Sequence, residues 1–461
     1  MVETVRSMVL AGLSGGSGKS VVAVGLVAAV SKRGNGVVSF KKGPDYIDAG
    51  WLSKASGQPC YNLDPYLMSA EAIVTTFHRR ILGNSFAVVE GNRGIFDGVN
   101  AEGEFSTAEL AGQLDLPVVL VLNCAKTTRT VAAMVLGCQA FDPRIRFAGV
   151  ILNQIATSRH ETVIRQSLEK YTNLPVLGIM PRLKKDVFPM RHLGVTPHQE
   201  YAAASEAVAN LATLAENHFD LDGIIGCMRE VAPLPLERGG HSAVEVTIGV
   251  LRDAAFQFYY QENLEALVAA GARLVMIDAL RSQELPPDLD GLYIGGGFPE
   301  TSARGLADNA GFRHSVRERI DAGLPVYAEC GGLIYLGRSI LLDNQEYPLA
   351  GVFPVTFAIG AKPQAHGYSA FTVEKPNSFY PVGTRIRGHE FRYSTVHQWD
   401  GSADELALAM DRGTGFGDGR DGLVKRNVMA LYTHVMASGT PEWATGFIAA
   451  ARSFAACGRT A

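Results

Sequence analysis

Short apolar runs rich in Val, Ile and Leu recur through the first half of the chain, at residues 7–13, 36–40, 86–90, 117–123, 147–153 and 175–180. Longer segments of helical period lie between several of them, for example 21–33 and 106–113. Strands that are apolar on both faces and alternate with helices predict a parallel sheet covered on both sides. The same pattern restarts near Val246, with runs at 246–251, 273–278, 291–295 and 325–328 and a helical segment at 262–270. Between the halves, VAPLPLERGG at 231–240 has Pro and Gly but no period, which marks a linker. The expectation is an α/β protein of two doubly wound domains, residues 1–225 and 246–461, joined by a linker at 226–245.

Length agrees, because 461 residues exceed one core at roughly 100–200 residues per domain. A hydrophobic content of 47% with 19% charged residues describes a soluble globular chain with no bias to disorder. The net charge of −4 argues against a nucleic-acid partner but leaves room for a local basic pocket that takes a polyanionic small molecule. Six cysteines without a CxxC pair predict reduced thiols and a cytoplasmic setting, not a disulfide framework or zinc site. The N-terminal residues, with Glu3 and an early glycine loop, do not read as a signal peptide. The apolar stretch 21–30 is too short for a bilayer span. No membrane partner is expected, and a homodimer is one assembly left open.

Chemistry enters at residues 12–20, GLSGGSGKS, between the first strand and the helical run. Gly15, Gly16, Ser17 and Gly18 would turn successive N–H groups toward phosphate oxygens at a helix N-terminus. Lys19 would reach the β/γ-phosphates and Ser20 would take Mg²⁺. The loop departs from the usual Walker A pattern, since Leu13 stands where the leading Gly belongs. It resembles the branch holding MinD-like ATPases and dethiobiotin synthetase; Ser14, where many MinD-like members carry a second lysine, favours the synthetase side. Candidate Mg²⁺ ligands besides Ser20 are Asp45, in KKGPDYID, and Glu90, at the end of 86–90. Asp48 belongs to the same sheet edge, where a doubly wound sheet binds ligands, and Asp97, in GNRGIFDG, follows in the next loop. Asn153 is the candidate for the adenine edge, against an equally good structural reading as a strand-end Asn.

In the second half, PVYAECGGL at 325–333 places Cys330 between a strand and the helical run 333–338. Such a turn presents a thiol at a helix N-terminus, where the dipole favours thiolate. A base must lie within hydrogen-bond reach. His434, in MALYTHV, is the first candidate, His389 in GHEFRYS competes, and His366 is next. Backbone N–H groups of Gly296, Gly297 and Gly331 are the expected oxyanion donors.

The motifs SGGSGKS, FKKGPDYIDAG, EGNRGIFDG, YIGGGFPE, AECGGLIYLG, GHEFRYS and LYTH follow in order over nearly the whole chain. Together they resemble the cobyrinate a,c-diamide synthase family. The resemblance implies a dethiobiotin-synthetase-like P-loop domain followed by a class I glutamine amidotransferase domain of flavodoxin type. It implies that Cys330 hydrolyses glutamine with His434 as its base, and that ATP with Mg²⁺ activates a tetrapyrrole carboxylate as an acyl phosphate. Lys19, Ser20, Asp45 and Glu90 would serve ATP–Mg²⁺, and Asp48, Asp97, His389 and Arg392 the substrate side. Two departures stand out. Met436 replaces the acid that many class I glutaminases carry two residues after the His, so a Cys–His dyad oriented by another group is expected; and Arg392 stands where His is expected. Cobyrinate, in cobalamin biosynthesis, is the default substrate, with hydrogenobyrinate, sirohaem and nickel-sirohydrochlorin as alternatives. A MinD-like switch with an inert second domain is the remote alternative, opposed by Ser14 and by the Cys330 turn. Dethiobiotin-synthetase-like carboxylation ranks last, because it leaves the second half without a task.

Overall fold

The computed structural model describes residues 4–183, 190–191, 194–195, 197–234 and 244–458. The chain divides into two compact units, Met1–Arg238 and Gly239–Ala461. In the first, β1 (Val5–Gly12), β2 (Val37–Lys42), β3 (Cys60–Leu63), β4 (Phe86–Glu90), β5 (Val118–Asn123), β6 (Phe147–Ile155) and β7 (Val176–Pro181) lie in the order β3-β2-β4-β1-β5-β6-β7. All these pairings are parallel. The connecting helices are α1 (Lys19–Lys32), α2 (Tyr46–Ser56), α3 (Ala70–Arg80), α4 (Thr107–Gln113), α5 (Thr130–Phe141) and α6 (Ser158–Tyr171); α7 (Ala204–His218) and α8 (Leu221–Cys227) follow β7. The short strands β8 (Met190–Arg191) and β9 (Gly194–Val195) pair with each other.

Helix α1 is apolar on every side, and Val22 to Val30 are all buried between the sheet, α2 and α7. A helix of this composition is held by packing and not by an amphipathic stripe. The first domain also extends past its expected end. Residues 226–231 belong to it, because α8 finishes at Cys227 and β10 (Arg229–Val231) runs antiparallel to β1. Arg229, Glu230 and Val231 therefore pair with Val5–Ser7 at the start of the central strand β1, where a linker was expected; backbone groups there satisfy those of β1.

The second unit begins with a parallel core, β11 (Val246–Leu251), β12 (Ala272–Ile277), β13 (Gly291–Ile294), β14 (Val326–Glu329) and β23 (Val428–Leu431), in the order β12-β11-β13-β14-β23. That is the flavodoxin-type winding expected. Helices α9 (Gln261–Ala269), α10 (Ala303–Asp308), α11 (Ala310–Asp321), α12 (Gly331–Leu336) and α13 (Pro441–Gly458) belong to it. Trp443 and Phe447 of α13 pack against Tyr293 and Tyr327, with ring centroids 5.2 to 6.4 Å apart.

The periodicity did not anticipate the rest. β15 (Ser339–Leu342), β16 (Gln345–Pro348), β17 (Val355–Ile359) and β20 (Ser394–Trp399) form a separate sheet. β18 (Ala365–Val373), β19 (Arg385–Arg392), β21 (Leu406–Arg412), β22 (Arg420–Lys425) and β24 (His434–Val435) prolong the main sheet beyond β23 by antiparallel pairing, ending at β24. Only Tyr432 and Thr433 separate β23 from β24, so this half must curl back until its last strand returns beside its start. The carboxylate of Asp421 anchors the return, accepting from the amides of Gly422 (2.9 Å), Tyr432 (3.0 Å) and Thr433 (3.2 Å).

Among the described residues no helix is long and apolar enough to cross a membrane. Asp421→Ala would leave those buried amides without an acceptor and is expected to lower the unfolding free energy by about 3 kcal/mol, read as an earlier urea midpoint.

Two candidate active sites

The parallel sheet of the first unit brings Leu10, Lys41 and Glu90 into lateral register at its carboxyl edge. The phosphate loop leaves β1 there and re-enters α1 through Gly18, whose φ of 89° suits glycine. A Cβ on Gly18 would also meet Asn153 Nδ2 at 2.0 Å. Gly15 and Gly16 are exposed and face open space, the room a phosphate needs. Lys19 is buried along its stem and donates to Ser14 O (3.0 Å) and Arg93 O (2.7 Å). Burial first, then the neighbouring Lys41 cation, bring its pKa down to about 8.

Ser20 Oγ donates to Glu90 Oε1 at 2.9 Å, and the same oxygen receives Lys41 Nζ at 2.9 Å. Lys41 Nζ also reaches Asp48 Oδ2 at 2.6 Å. Burial works against the charge on Lys41, but the Asp48 and Glu90 carboxylates outweigh it and hold the amine above its ordinary range. Burial pushes Glu90 up to about 7, against the pull of Lys41. Glu90 Oε2 is buried and has no hydrogen-bond partner among the described residues. A hard cation fits this pair of oxygen groups, the Ser20 hydroxyl and the free Glu90 oxygen.

The remaining predicted residues divide differently. Asp45 Oδ1 caps α2 by accepting from Asp48 N at 2.9 Å, so the sheet edge gives it a helix-start role instead of the metal role expected. Asn153 Nδ2 donates to Ser17 O at 2.8 Å, bracing the phosphate loop where the adenine edge was expected. Asp97 Oδ2 accepts from Gly94 N at 2.8 Å, which closes its own turn, and its charge is felt at Lys19. Lys41 was missed. Its signal was a lysine closing an otherwise apolar strand, SFKK, where burial demands a carboxylate partner.

In the second unit Cys330 sits between β14 and α12 with φ 46° and ψ −95°, a sparsely populated conformation for a residue with a Cβ. Its amide donates to Leu431 O at 2.8 Å. His434 is buried at the start of β24, and the Cys330 thiol, which donates to Phe391 O at 3.9 Å, acts on its charge. The ring lies so close to Gly296 that a Cβ there would come within 2.4 Å of His434 Cε1. On its other side His434 Nδ1 meets Glu329 Oε2 at 3.4 Å. Burial lowers the pKa of His434, but Cys330 and Glu329 more than reverse this and raise it to about 10. Glu329 was missed, although an acid beside the nucleophile at the end of a buried strand was visible in AEC.

His389 is the register partner of His434 and stacks on it, with centroids 5.2 Å apart and planes 27° apart. Burial first, and the His434 charge next, hold it well below the ordinary histidine range. His389 thus lies against the His434 imidazole, not on the substrate side expected of it. His366 lies one strand further, edge-on to Phe391 at 5.1 Å. Arg392 is also corrected. Its guanidinium donates to Ser394 O and to Gly415 O and lies 3.8 Å from the centre of the Tyr432 ring, buried as a structural clamp. The Gly296 amide donates to Phe258 O at 3.3 Å and is withdrawn from the expected oxyanion set. Gly297 N and Gly331 remain neighbours, 3.0 Å from N to the position of a Gly331 Cβ.

A phosphate-binding P-loop unit followed by a Cys–His glutaminase unit defines a glutamine-hydrolysing ligase that uses a nucleotide. Residues 8–193 match the CobQ/CobB/MinD/ParA nucleotide binding domain, and 247–441 the CobB/CobQ-like glutamine amidotransferase domain. The cobyrinate a,c-diamide synthase of Archaeoglobus fulgidus is 40% identical over 433 residues, 93% of each chain. That of Magnetococcus marinus is 39% identical over 437 residues, again 93% of each. The hydrogenobyrinate a,c-diamide synthase of Streptomyces coelicolor is 37% identical over 490 aligned positions, covering 98% of each chain. The chain belongs to the cobyrinate a,c-diamide synthase family.

Since only the ammonium form of Lys19 attracts phosphate, ATP affinity of the free protein should fall as pH rises through about 8, approaching about tenfold per pH unit. Calorimetric titration between neutral and alkaline pH measures it, and in Lys19→Ala the affinity should be weak with that limb absent.

Proposed function

We propose that this protein converts the a and c carboxylates of cobyrinate to amides with ATP and glutamine, in the cytoplasmic part of cobalamin biosynthesis. The observation that carries the reading is the presence, in one chain of this family, of a phosphate site around Lys19, Ser20 and Glu90 and a thiol–imidazole pair at Cys330 and His434.

The Cys330 thiolate attacks the side-chain carbonyl of glutamine, and amides of Gly297 and Gly331 stabilise the oxyanion. The leaving nitrogen takes its proton from the imidazolium of His434 and departs as ammonia. Water, deprotonated by the now neutral His434, hydrolyses the thioester to glutamate and restores the thiolate. In the other unit a substrate carboxylate oxygen attacks the γ-phosphorus of ATP, expelling ADP. Ammonia then displaces phosphate from the acyl phosphate to give the amide. The activation is needed because hydroxide is a poor leaving group and phosphate a good one. Lys19 and the loop amides hold the transferring phosphoryl charge. Ser20 and Glu90 would hold Mg²⁺, which when bound neutralises charge between the β- and γ-phosphates. Lys41 keeps Glu90 and Asp48 in place from behind. Asp48, in the first turn of α2, and Asp97, in the loop after β4, are assigned to the substrate side of the nucleotide on their position beyond the carboxyl edge of the sheet.

Hydrogenobyrinate is the second reading, on the strength of the Streptomyces coelicolor relative. Incubation with ATP, glutamine and each of the two ring acids, followed by mass spectrometry, decides between them; amidation of neither, with either nitrogen source, would end the proposal. Cys330→Ser should lose glutamine-driven synthesis and keep synthesis from ammonium. Lys19→Ala should lose both.

A further inference from the structure

The acid that many class I glutaminases place two residues after the base is absent here, because Met436 occupies that position and is buried. An imidazole that must hold one ring nitrogen toward a thiol needs something at the other nitrogen to choose its tautomer and orientation. At His434 Nδ1 that something is the carboxylate of Glu329. We propose that Glu329, the residue preceding the nucleophile, is the positioning group of the glutaminase site and does the work of the missing acid. The inference rests on the glutaminase reading of Cys330.

Several observations carry it together. Glu329 is 1% exposed and ends β14, so its side chain points along the sheet edge toward β24 while the next residue turns the thiol up. Its Oε2 meets His434 Nδ1 at 3.4 Å, which leaves the other ring nitrogen for Cys330. Its Oε1 accepts from the Val435 amide at 3.2 Å, so the carboxylate grips both the ring and the backbone of the same two-residue strand. Tyr293 OH donates to Oε2 at 3.2 Å and holds the carboxylate from β13. Asn263 completes the fastening, donating to Val435 O and accepting from the Ala437 amide, both at 2.7 Å. A carboxylate serving only to satisfy buried amides would not need the imidazole; this one spans ring and strand.

The charges that face His434 work in both directions. Cys330 and Glu329 favour its cation, and Glu390 of β19 feels the same charge. His389 of β19 lies against it, and His366 of β18 acts on His389, but burial keeps His389 neutral, so the imidazolium faces an uncharged ring. The phenols Tyr259, Tyr293 and Tyr380 near Glu329 are all raised by burial and stay neutral as well. Glu329 is thus the anion in hydrogen-bond contact with the His434 ring at Nδ1.

The folded-state pKa of His434 is raised, so its charged form contributes fully below the ordinary value near 6.5 and is lost as pH rises through about 10. Glu329→Gln keeps the shape and removes the charge. Its glutaminase kcat should fall by roughly 10²- to 10⁴-fold at little cost in KM. The basic limb of its pH profile should move to lower pH, Glu329→Asp should recover part of the rate, and ammonium-driven synthesis should persist. A Glu329→Gln enzyme with wild-type rate and basic limb, beside an inactive Cys330→Ala, overturns the inference and leaves the glutaminase reading intact; an active Cys330→Ala removes that reading itself. Should the Gln variant fail to fold, ¹⁵N-histidine NMR of the wild type decides. A His434 ring that loses its proton near the ordinary histidine value refutes the assignment, and one that keeps it on Nδ1 well into alkaline pH supports it.

Discussion

Each unit is organised around a carboxylate buried at the end of a parallel strand. Ionised carboxylates are costly to remove from water unless a cation or several donors meet them, and losing one partner of such a pair leaves an uncompensated charge. Glu90 closes β4 and draws in Lys41 and the Ser20 hydroxyl; Glu329 closes β14 and draws in His434, Tyr293 and the Val435 amide. The groups to which we assign the chemistry stand directly beside these carboxylates. Lys19 and Ser20 open the helix next to Glu90, and Cys330 is the residue after Glu329.

Parallel winding explains why the arrangement recurs. Every strand of such a sheet ends at the same edge, and the turn that follows exposes backbone N–H groups at the start of a helix. In the first unit that turn is glycine-rich and open, which suits a phosphate. In the second it is tight, with Cys330 in strained backbone geometry and Gly331 directly behind it, which suits a single nucleophile and an oxyanion. The two turns differ mainly in how much room they leave above the helix start, and that difference separates phosphate binding from attack on an amide.

Two of the corrections share one cause. Asp45 and Asn153 carry side chains that could equally serve a ligand or a nearby backbone group, and short polar side chains at strand ends and helix starts commonly find the backbone. Asp45 caps α2, and Asn153 braces Ser17. Arg392 is a different case: its charge suggested a cleft, but its planar fork found two carbonyls and an aromatic face inside the fold. His389 was singled out as a competitor of His434, and its register opposite His434 depends on a strand pairing no local pattern encodes.

The parallel strands, the phosphate loop and the Cys330 turn were legible in the chain because each is local: an apolar run, a glycine spacing, a strand–turn–helix sequence. The antiparallel half of the second unit was not legible in the same way. A strand such as β19 buries one face, so it alternates Arg385, Ile386 and Arg387 where a continuous apolar run was sought. What sequence alone determined was which side chains could react. Tertiary structure decided which of them meet, because His434 reaches Cys330 and Glu329 only when β23, far along the chain, pairs beside β14 and carries the following residues to the end of that strand, a non-local pairing that no local pattern encodes.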